Sequence, residues 1–150
     1  MKSLSITTVT LGLCAGLLTA APGPKEDKDE IKKFEGDWTF VSWEHSGQKL
    51  PNEVLEITKW SVKDGKYKFE MGETEEEGTI KIDAGKKPAT LDFDITSGND
   101  KGKKQVGIYK IDGDTMTICL ARPGDDKRPT EFKSTEEDGN ILVTIKKKKE

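Results

Sequence analysis

The chain has 150 residues, of which 32% are apolar and 35% are charged, and its formal net charge is −3. This length suits one domain, and the low apolar fraction excludes a deep core covered on both faces, as in a doubly wound α/β sheet. The nearly balanced charge argues against a nucleic-acid-binding domain and against a strongly acidic disordered chain.

The first segment, Met1–Ala21, has the composition of a secretory signal peptide. It carries one basic residue, no acidic residue, an apolar middle and small residues at its end. This order is typical of signal peptides, with cleavage after Ala20 or Ala21. A membrane anchor is one alternative, but the polar residues and glycines make the stretch marginal for spanning a bilayer. Acylation at Cys14 is another, which the bulky Leu13 disfavours.

Export of the processed chain follows from this interpretation. We expect the protein in the periplasm, in the cell envelope or outside the cell, without an integral membrane span after processing. Cys119 would be its one remaining cysteine, so no intramolecular disulfide can form. Because Cys119 lies in an apolar strand, the sequence predicts a buried, inert thiol.

A polar lead and a short helix are predicted to precede the strands. Pro22–Lys28 is polar and contains proline and glycine. Asp29–Glu35 predicts one or two helical turns, because Ile31 and Phe34 are spaced to share one helix face. Gly36 ends this helix.

The remaining chain has the pattern of an all-β domain. Turn signals recur about every ten residues, which is typical of a sandwich or barrel. Apolar and polar residues alternate most clearly in Lys66–Met71 and Thr90–Thr96. We predict a small antiparallel β-barrel of eight to nine strands over residues 29–150, including the short N-terminal helix. Three of its hairpin turns are predicted at Asp64-Gly65, Asp112-Gly113 and Asp138-Gly139.

Three places break the alternation of apolar side chains. The phase changes between Leu55 and Trp60 and again around Tyr109, so we predict a bulge or sharp bend near Thr58–Lys59 and near Tyr109. Trp43 has the parity opposite to the apolar residues before it. We expect the helix to cover Trp43, or Trp43 to mark an exposed site for a partner.

Several motifs resemble a known pattern. A short helix, a Gly-x-Trp motif and an antiparallel meander are similar to lipocalins and calycins. The chain more closely resembles a family of mostly exported, lipocalin-like (calycin-type) domains abundant in planctomycete bacteria. The resemblance implies a lipocalin-like barrel and export, and it transfers no catalytic residues. It is carried by Gly36–Ser42, Gly47–Pro51, Gly107–Asp114, Ile118–Gly124 and Arg128–Phe132.

Metal-binding patterns are not found in the sequence. His45 is the only histidine, and no Cys/His spacing typical of a zinc site exists. The acidic turns at Asp112–Asp114 and Asp125-Asp126 are too short for a calcium loop. We therefore expect no metal and no cofactor.

Catalytic residues are also not identified. A serine hydrolase needs a base beside its nucleophile, and adjacent His45 and Ser46 would point to opposite faces of a strand. Asp92 and Asp94 share a strand face, but it is the solvated one. We expect that the protein is not an enzyme.

Two charge runs are interpreted as solvated segments. Lys146–Lys149 is predicted to be a solubilising tail that protects the last strand from edge pairing, with contact to anionic lipid or polymer as the alternative. Glu73–Glu77 is predicted to be an acidic hairpin loop.

The two arginines are predicted to have specific roles. Arg122 and Arg128 are the only arginines among 25 basic residues, which suggests that their planar guanidinium groups matter. The resemblance to lipocalins, in which an arginine lies beside the Gly-x-Trp motif, implies that one of them stacks on Trp38 and closes the barrel beside Gly36. Arg128 is preferred because Pro129 restricts its backbone. An anion site for a carboxylate ligand is the alternative.

Two functions are compatible with this fold. The first is a binding module whose barrel mouth accepts a small, apolar ligand. The second is an envelope interaction or structural module with a filled barrel, acting through loops such as Arg122–Phe132. We expect a monomer that binds no nucleic acid, with a small apolar molecule or an envelope protein as partner. The candidate ligand-lining residues are Tyr67, Phe69, Leu91, Phe93, Ile108 and Met116; the alternative for all six is ordinary core.

Overall fold

The described part of the chain, residues 24–150 of this computed structural model, consists mainly of antiparallel strands. The predicted signal peptide, its cleavage site and Cys14 lie outside the described residues. The elements are helix α1 (Pro24–Ile31) with a 3₁₀ turn (Lys32–Phe34), β1 (Gly36–His45), β2 (Gln48–Lys49), α2 (Asn52–Ile57), β3 (Thr58–Lys63), β4 (Lys66–Met71), β5 (Thr74–Asp83), β6 (Ala89–Ser97), β7 (Lys104–Asp112), β8 (Thr115–Leu120) and β9 (Ile141–Lys147).

Eight of these strands close into a barrel. Each strand from β3 to β8 pairs with the next, β1 pairs with β3, and β9 pairs back with β1. The two-residue strand β2 pairs only with the end of β1. The predicted all-β barrel of eight to nine strands with a short N-terminal helix is therefore confirmed. The helix begins at Pro24, within the predicted polar lead.

The N-terminal helical segment closes one end of the barrel. Phe34 is fully buried, and its ring meets Tyr109 edge-on at 4.9 Å between centroids. The Trp38 indole N–H donates to the Phe34 carbonyl at 2.7 Å. Phe34 thus plugs this end of the barrel, and Ile31, predicted to share its helix face, packs against the same core.

Of the three hairpin turns predicted at Asp-Gly pairs, two are confirmed and one is wrong. Asp64-Gly65 joins β3 to β4, and both residues have positive φ (52° and 73°), as a two-residue hairpin turn of type I′ requires. Asp112-Gly113 lies in the β7–β8 hairpin. Asp138-Gly139 does not form a hairpin, because residues 121–140, which precede β9, contain no strand.

The two predicted bends have different explanations. The phase change before Trp60 arises because Asn52–Ile57 is helix rather than strand, which leaves Ile57 54% exposed. At Tyr109 the pairing of β7 continues on both sides without a register shift, so the bulge predicted there is wrong. Both faces of β7 are buried: Tyr109 lies inside the barrel, while Ile108 lies opposite Cys119 on the outer face.

A bulge occurs instead in β1. The pairing with β9 moves from Phe40–Ile145 directly to Ser42–Thr144, so Val41 is the extra residue and is 54% exposed. The added residue reverses the phase, and Trp43 faces inward beside Phe40. Both predicted roles for Trp43, beneath the helix or in an exposed patch, are therefore wrong.

Candidate functional site

A cavity of about 290 Å³ occupies the half of the barrel away from helix α1. All eight barrel strands contribute to it, because alternate residues of each strand point inward. Aromatic and aliphatic side chains dominate its wall. The lining residues are Phe40, Trp43, Trp60, Tyr67, Phe69, Met71, Thr74, Glu76, Phe93, Asp100, Gln105, Ile118, Leu120, Pro123, Ile141, Val143 and Ile145.

The aromatic rings of the wall form two groups. Phe40, Trp43 and Phe69 lie within 5.7–6.1 Å of one another between centroids. On the other side, the Phe93 ring lies 6.2 Å from Trp60 and 4.8 Å from Tyr67. Four strands, β1, β3, β4 and β6, thus present aromatic side chains to one cavity.

The six candidate lining residues lie in three different environments: the cavity wall, the core and the outer face of the barrel. Tyr67, Phe69 and Phe93 line the cavity. Leu91 and Met116 belong to the core but not to the cavity wall. Ile108 lies on the outer face of the barrel, so its predicted role as a lining residue is wrong. Tyr109 points into the barrel, so its neighbour Ile108 points outward. The alternation in the sequence could not show that this outer face of β7 is buried as well.

A carboxylate faces the apolar cavity from β5. The Tyr67 hydroxyl donates to Oε1 of Glu76 at 2.8 Å. Gly78 makes room for this contact, because a Cβ there would come within 2.7 Å of the Tyr67 ring. Burial raises the pKa of Glu76, and the nearby charge of Asp100 adds to the shift. Burial and this carboxylate also raise the pKa of Tyr67.

Glu76 differs from the second acid of the wall in its charge partners. Asp100 pairs with Lys103, with Nζ 2.8 Å from Oδ1. Among the side chains of residues 27–150, no lysine, arginine or histidine nitrogen lies within 4.0 Å of the Glu76 carboxylate. Among the described side chains, Glu76 therefore places a carboxyl group without a cationic partner beside aromatic rings.

Sequence analysis missed Glu76 because Glu73–Glu77 was interpreted as a loop. Strand β5 begins at Thr74 and includes three of those glutamates. Ile80 points into the barrel, and because side chains alternate along a strand, Glu76, four residues earlier, points inward as well. This alternation is the sequence signal that identifies Glu76 as a lining residue.

The cation beside Trp38 is a lysine. The Lys147 ammonium lies 5.4 Å from the Trp38 ring centroid, and the two residues are direct partners across β1 and β9. Gly36 has φ of 116°, and a Cβ there would lie 3.2 Å from the Lys147 side chain. The first lysines of the C-terminal run are thus part of β9, and Lys147 covers the closed end.

Arg128 has a different role from the predicted stacking on Trp38. Its guanidinium donates to the carbonyls of Leu91 (3.0 Å) and Gly107 (2.8 Å). It also lies 2.7 Å from Oδ1 of Asp92. Arg128 therefore anchors the loop 121–140 to the outer face of β6 and β7. The predicted stacking of Arg128 on Trp38 is wrong, because its guanidinium forms hydrogen bonds and an ion pair with these residues of β6 and β7.

The remaining candidate residues lie outside the cavity. Arg122 packs against Gly139 within the same loop. His45 is exposed at the end of β1. Cys119 is fully buried, its thiol donates to the Lys133 carbonyl at 3.3 Å, and burial raises its pKa. The part of the chain described here contains no group of three or more His, Cys, Asp or Glu side chains placed for a metal ion.

The fold and the cavity define a closed eight-stranded antiparallel β-barrel, an architecture compatible with a lipocalin-like fold. Comparison with protein-family models, with curated proteins and with solved structures finds no match to this chain. Between residues 24 and 150, no helix has the length and apolar character needed to cross a bilayer.

Proposed function

We propose that the protein is an exported, lipocalin-like binding module that takes one small, largely apolar ligand into the open half of its barrel. The observation that carries this proposal is the cavity of about 290 Å³ bordered by aromatic side chains. Its volume lies near the lower end of the range of ligand pockets, roughly 300–1,000 Å³. We assign the module no catalytic activity.

The unequal filling of the barrel supports binding rather than a purely structural role. The interior of an eight-stranded barrel is either filled by side chains or holds one small ligand. In the closed half, Phe34, Leu91 and Met116 are at most 1% exposed. In the other half, Phe69 and Trp43 border the cavity. A ligand there would gain about 25 cal/mol for each Å² of apolar surface removed from water.

Export is supported by the sequence. The basic start, apolar middle and small terminal residues of Met1–Ala21 match a signal peptide. The resemblance to exported planctomycete domains, carried by motifs such as Gly36–Ser42, points in the same direction. A small binding barrel in the envelope would meet ligands that cross the cell boundary.

The test uses the processed protein recovered from its own cell envelope and native mass spectrometry. We expect an adduct of a few hundred daltons that is lost on denaturation. Thr74→Trp, which places an indole in the cavity mouth, should remove the adduct. Glu75→Trp is the matched control, because the next residue of β5 points outward.

Two results would contradict the proposal. One is a bare mass for the native protein together with no binding of small aromatic probes, which would favour the filled-barrel interaction module. The other is an adduct that survives Thr74→Trp and Glu75→Trp equally, because such a ligand would lie outside the cavity.

A further inference from the structure

We propose that the ligand of this cavity is a small organic amine, whose protonated amino group binds the Glu76 carboxylate while its apolar body contacts the aromatic wall. This inference rests on the proposed binding function and names the chemical class of its ligand. It concerns the end of the cavity where Glu76, Tyr67 and Phe69 meet.

Glu76 is positioned to receive a cation. One of its oxygens accepts the Tyr67 hydroxyl, which fixes the carboxylate against the cavity wall. Oε2 has no cationic partner within 4.0 Å among the side chains of residues 27–150. A half-buried carboxylate without a partner charge is unfavourable, and an ammonium group would supply that charge through a charge-assisted hydrogen bond.

The aromatic residues beside Glu76 favour an organic cation. Phe69 is the direct cross-strand partner of Glu76, and the rings of Tyr67 and Phe93 lie in contact on the same wall. Aromatic faces attract ammonium groups and also bind the apolar body of the same molecule. A carboxylate next to several rings therefore matches an amine carried on a ring or a short alkyl chain.

The surroundings disfavour other ligand charges. A carboxylate or phosphate ligand would meet the negative charges of Glu76 and Asp100 in a largely apolar space. A bare metal ion would find few oxygen ligands, since Asp100 is already paired with Lys103. A neutral apolar ligand would fit the walls but would leave Glu76 unpaired.

The electrostatics of Glu76 agree with this assignment. Burial raises the pKa of its carboxyl group, as expected for a charge removed from water without a compensating cation. The groups that face it are Tyr67 on β4, which donates a hydrogen bond, and Asp100 in the β6–β7 loop, which pairs with Lys103.

The experiment compares three probes of one shape at pH 7: 2-phenylethylamine, 2-phenylethanol and 3-phenylpropanoate. Affinity is measured by calorimetry and by the fluorescence of Trp43 and Trp60, which line the cavity. We expect the amine to bind at least about tenfold more tightly than the alcohol, and the carboxylate to bind most weakly.

Two variants test the role of Glu76. Glu76→Gln should reduce the preference for the amine over the alcohol to less than about threefold, while the alcohol keeps its affinity. Glu75→Gln removes the same charge from the outward-facing neighbour and should keep the tenfold preference. Glu75→Gln therefore controls for the change in net charge that both variants share.

The outcomes separate this inference from the function on which it rests. If the alcohol binds as tightly as the amine, or if both variants lose the preference equally, the amine assignment is wrong and the binding module stands. If none of the three probes binds the wild-type protein and its native mass is bare, the proposed binding function is contradicted; if none binds but the native mass carries an adduct, only the amine assignment is wrong. If Thr74→Trp leaves the binding of every probe unchanged, the probes bind outside the cavity and the proposed binding function is contradicted.

Discussion

Glu76 is the residue at which the proposed function and stability conflict most directly. Its carboxyl group faces an otherwise apolar wall, and burial raises its pKa above that of an exposed glutamate. Between the unfolded and folded pKa values, the folded state binds more protons than the unfolded state. The contribution of Glu76 to the free energy of unfolding therefore decreases as the pH rises through this interval and is unfavourable above it.

A neutral isostere should consequently stabilise the free protein at neutral pH. We expect Glu76→Gln to raise the free energy of unfolding at pH 7, because it removes the buried charge and keeps an oxygen that can accept from Tyr67. The gain should vanish below about pH 4, where the glutamate is protonated in both states. Urea unfolding followed by tryptophan fluorescence at both pH values measures this. A variant that is less stable at pH 7, or a gain that persists unchanged in acid, would refute it.

At the scale of elements, the alternation of apolar and polar residues predicted most strands but not which segments pack against them. It located β4 and β6 because one face of each is apolar and the other polar. It failed at Asn52–Ile57, where a six-residue helix brings apolar side chains into a spacing that also fits a strand. It could not show that a distant loop covers Ile108, because burial of the outer face depends on tertiary contacts.

The candidate site was predictable to a smaller extent. Tyr67, Phe69 and Phe93 followed from alternation, and all three line the cavity. Trp43 was missed because a single extra residue, Val41, reverses the phase of β1, and the bulge leaves no simple signal in the sequence. Glu76 was missed because a run of acids has the composition of a loop although it continues a strand.

Arg128 is one of the residues that hold the covering loop 121–140 to the barrel. Because its guanidinium bonds two carbonyls and pairs with Asp92, Arg128→Ala should lower the free energy of unfolding by about 1–3 kcal/mol. A double-mutant cycle with Asp92→Ala should show coupling of at least about 0.5 kcal/mol. The same cycle with Trp38→Ala should be additive, since Lys147 is the cation beside that ring. Coupling of Arg128 to Trp38 as strong as to Asp92 would refute these contacts.

In the whole molecule, the two ends of the barrel differ in how completely side chains fill them. The end beneath helix α1 is plugged by Phe34, which is fully buried and contacts Tyr109. The other end contains the cavity, where Phe69 already borders empty space. A residue without empty space beside it loses more packing on truncation than one that lines a cavity. Stability should therefore depend mostly on the closed end, and ligand binding on the open end.

This division gives opposite expectations for two phenylalanine truncations. Phe34→Ala should lower the free energy of unfolding by about 3–5 kcal/mol and leave the affinity for 2-phenylethylamine within about threefold, measured where the variant is still folded. Phe69→Ala should be less destabilising but should weaken that affinity by about tenfold or more, because it removes a ring beside Glu76. Urea unfolding and calorimetry measure both quantities on both variants. If Phe34→Ala weakened binding as much as Phe69→Ala does, the packing of Phe34 would determine the shape of the cavity at the opposite end. The two halves of the barrel would then not be independent, and this division would be refuted.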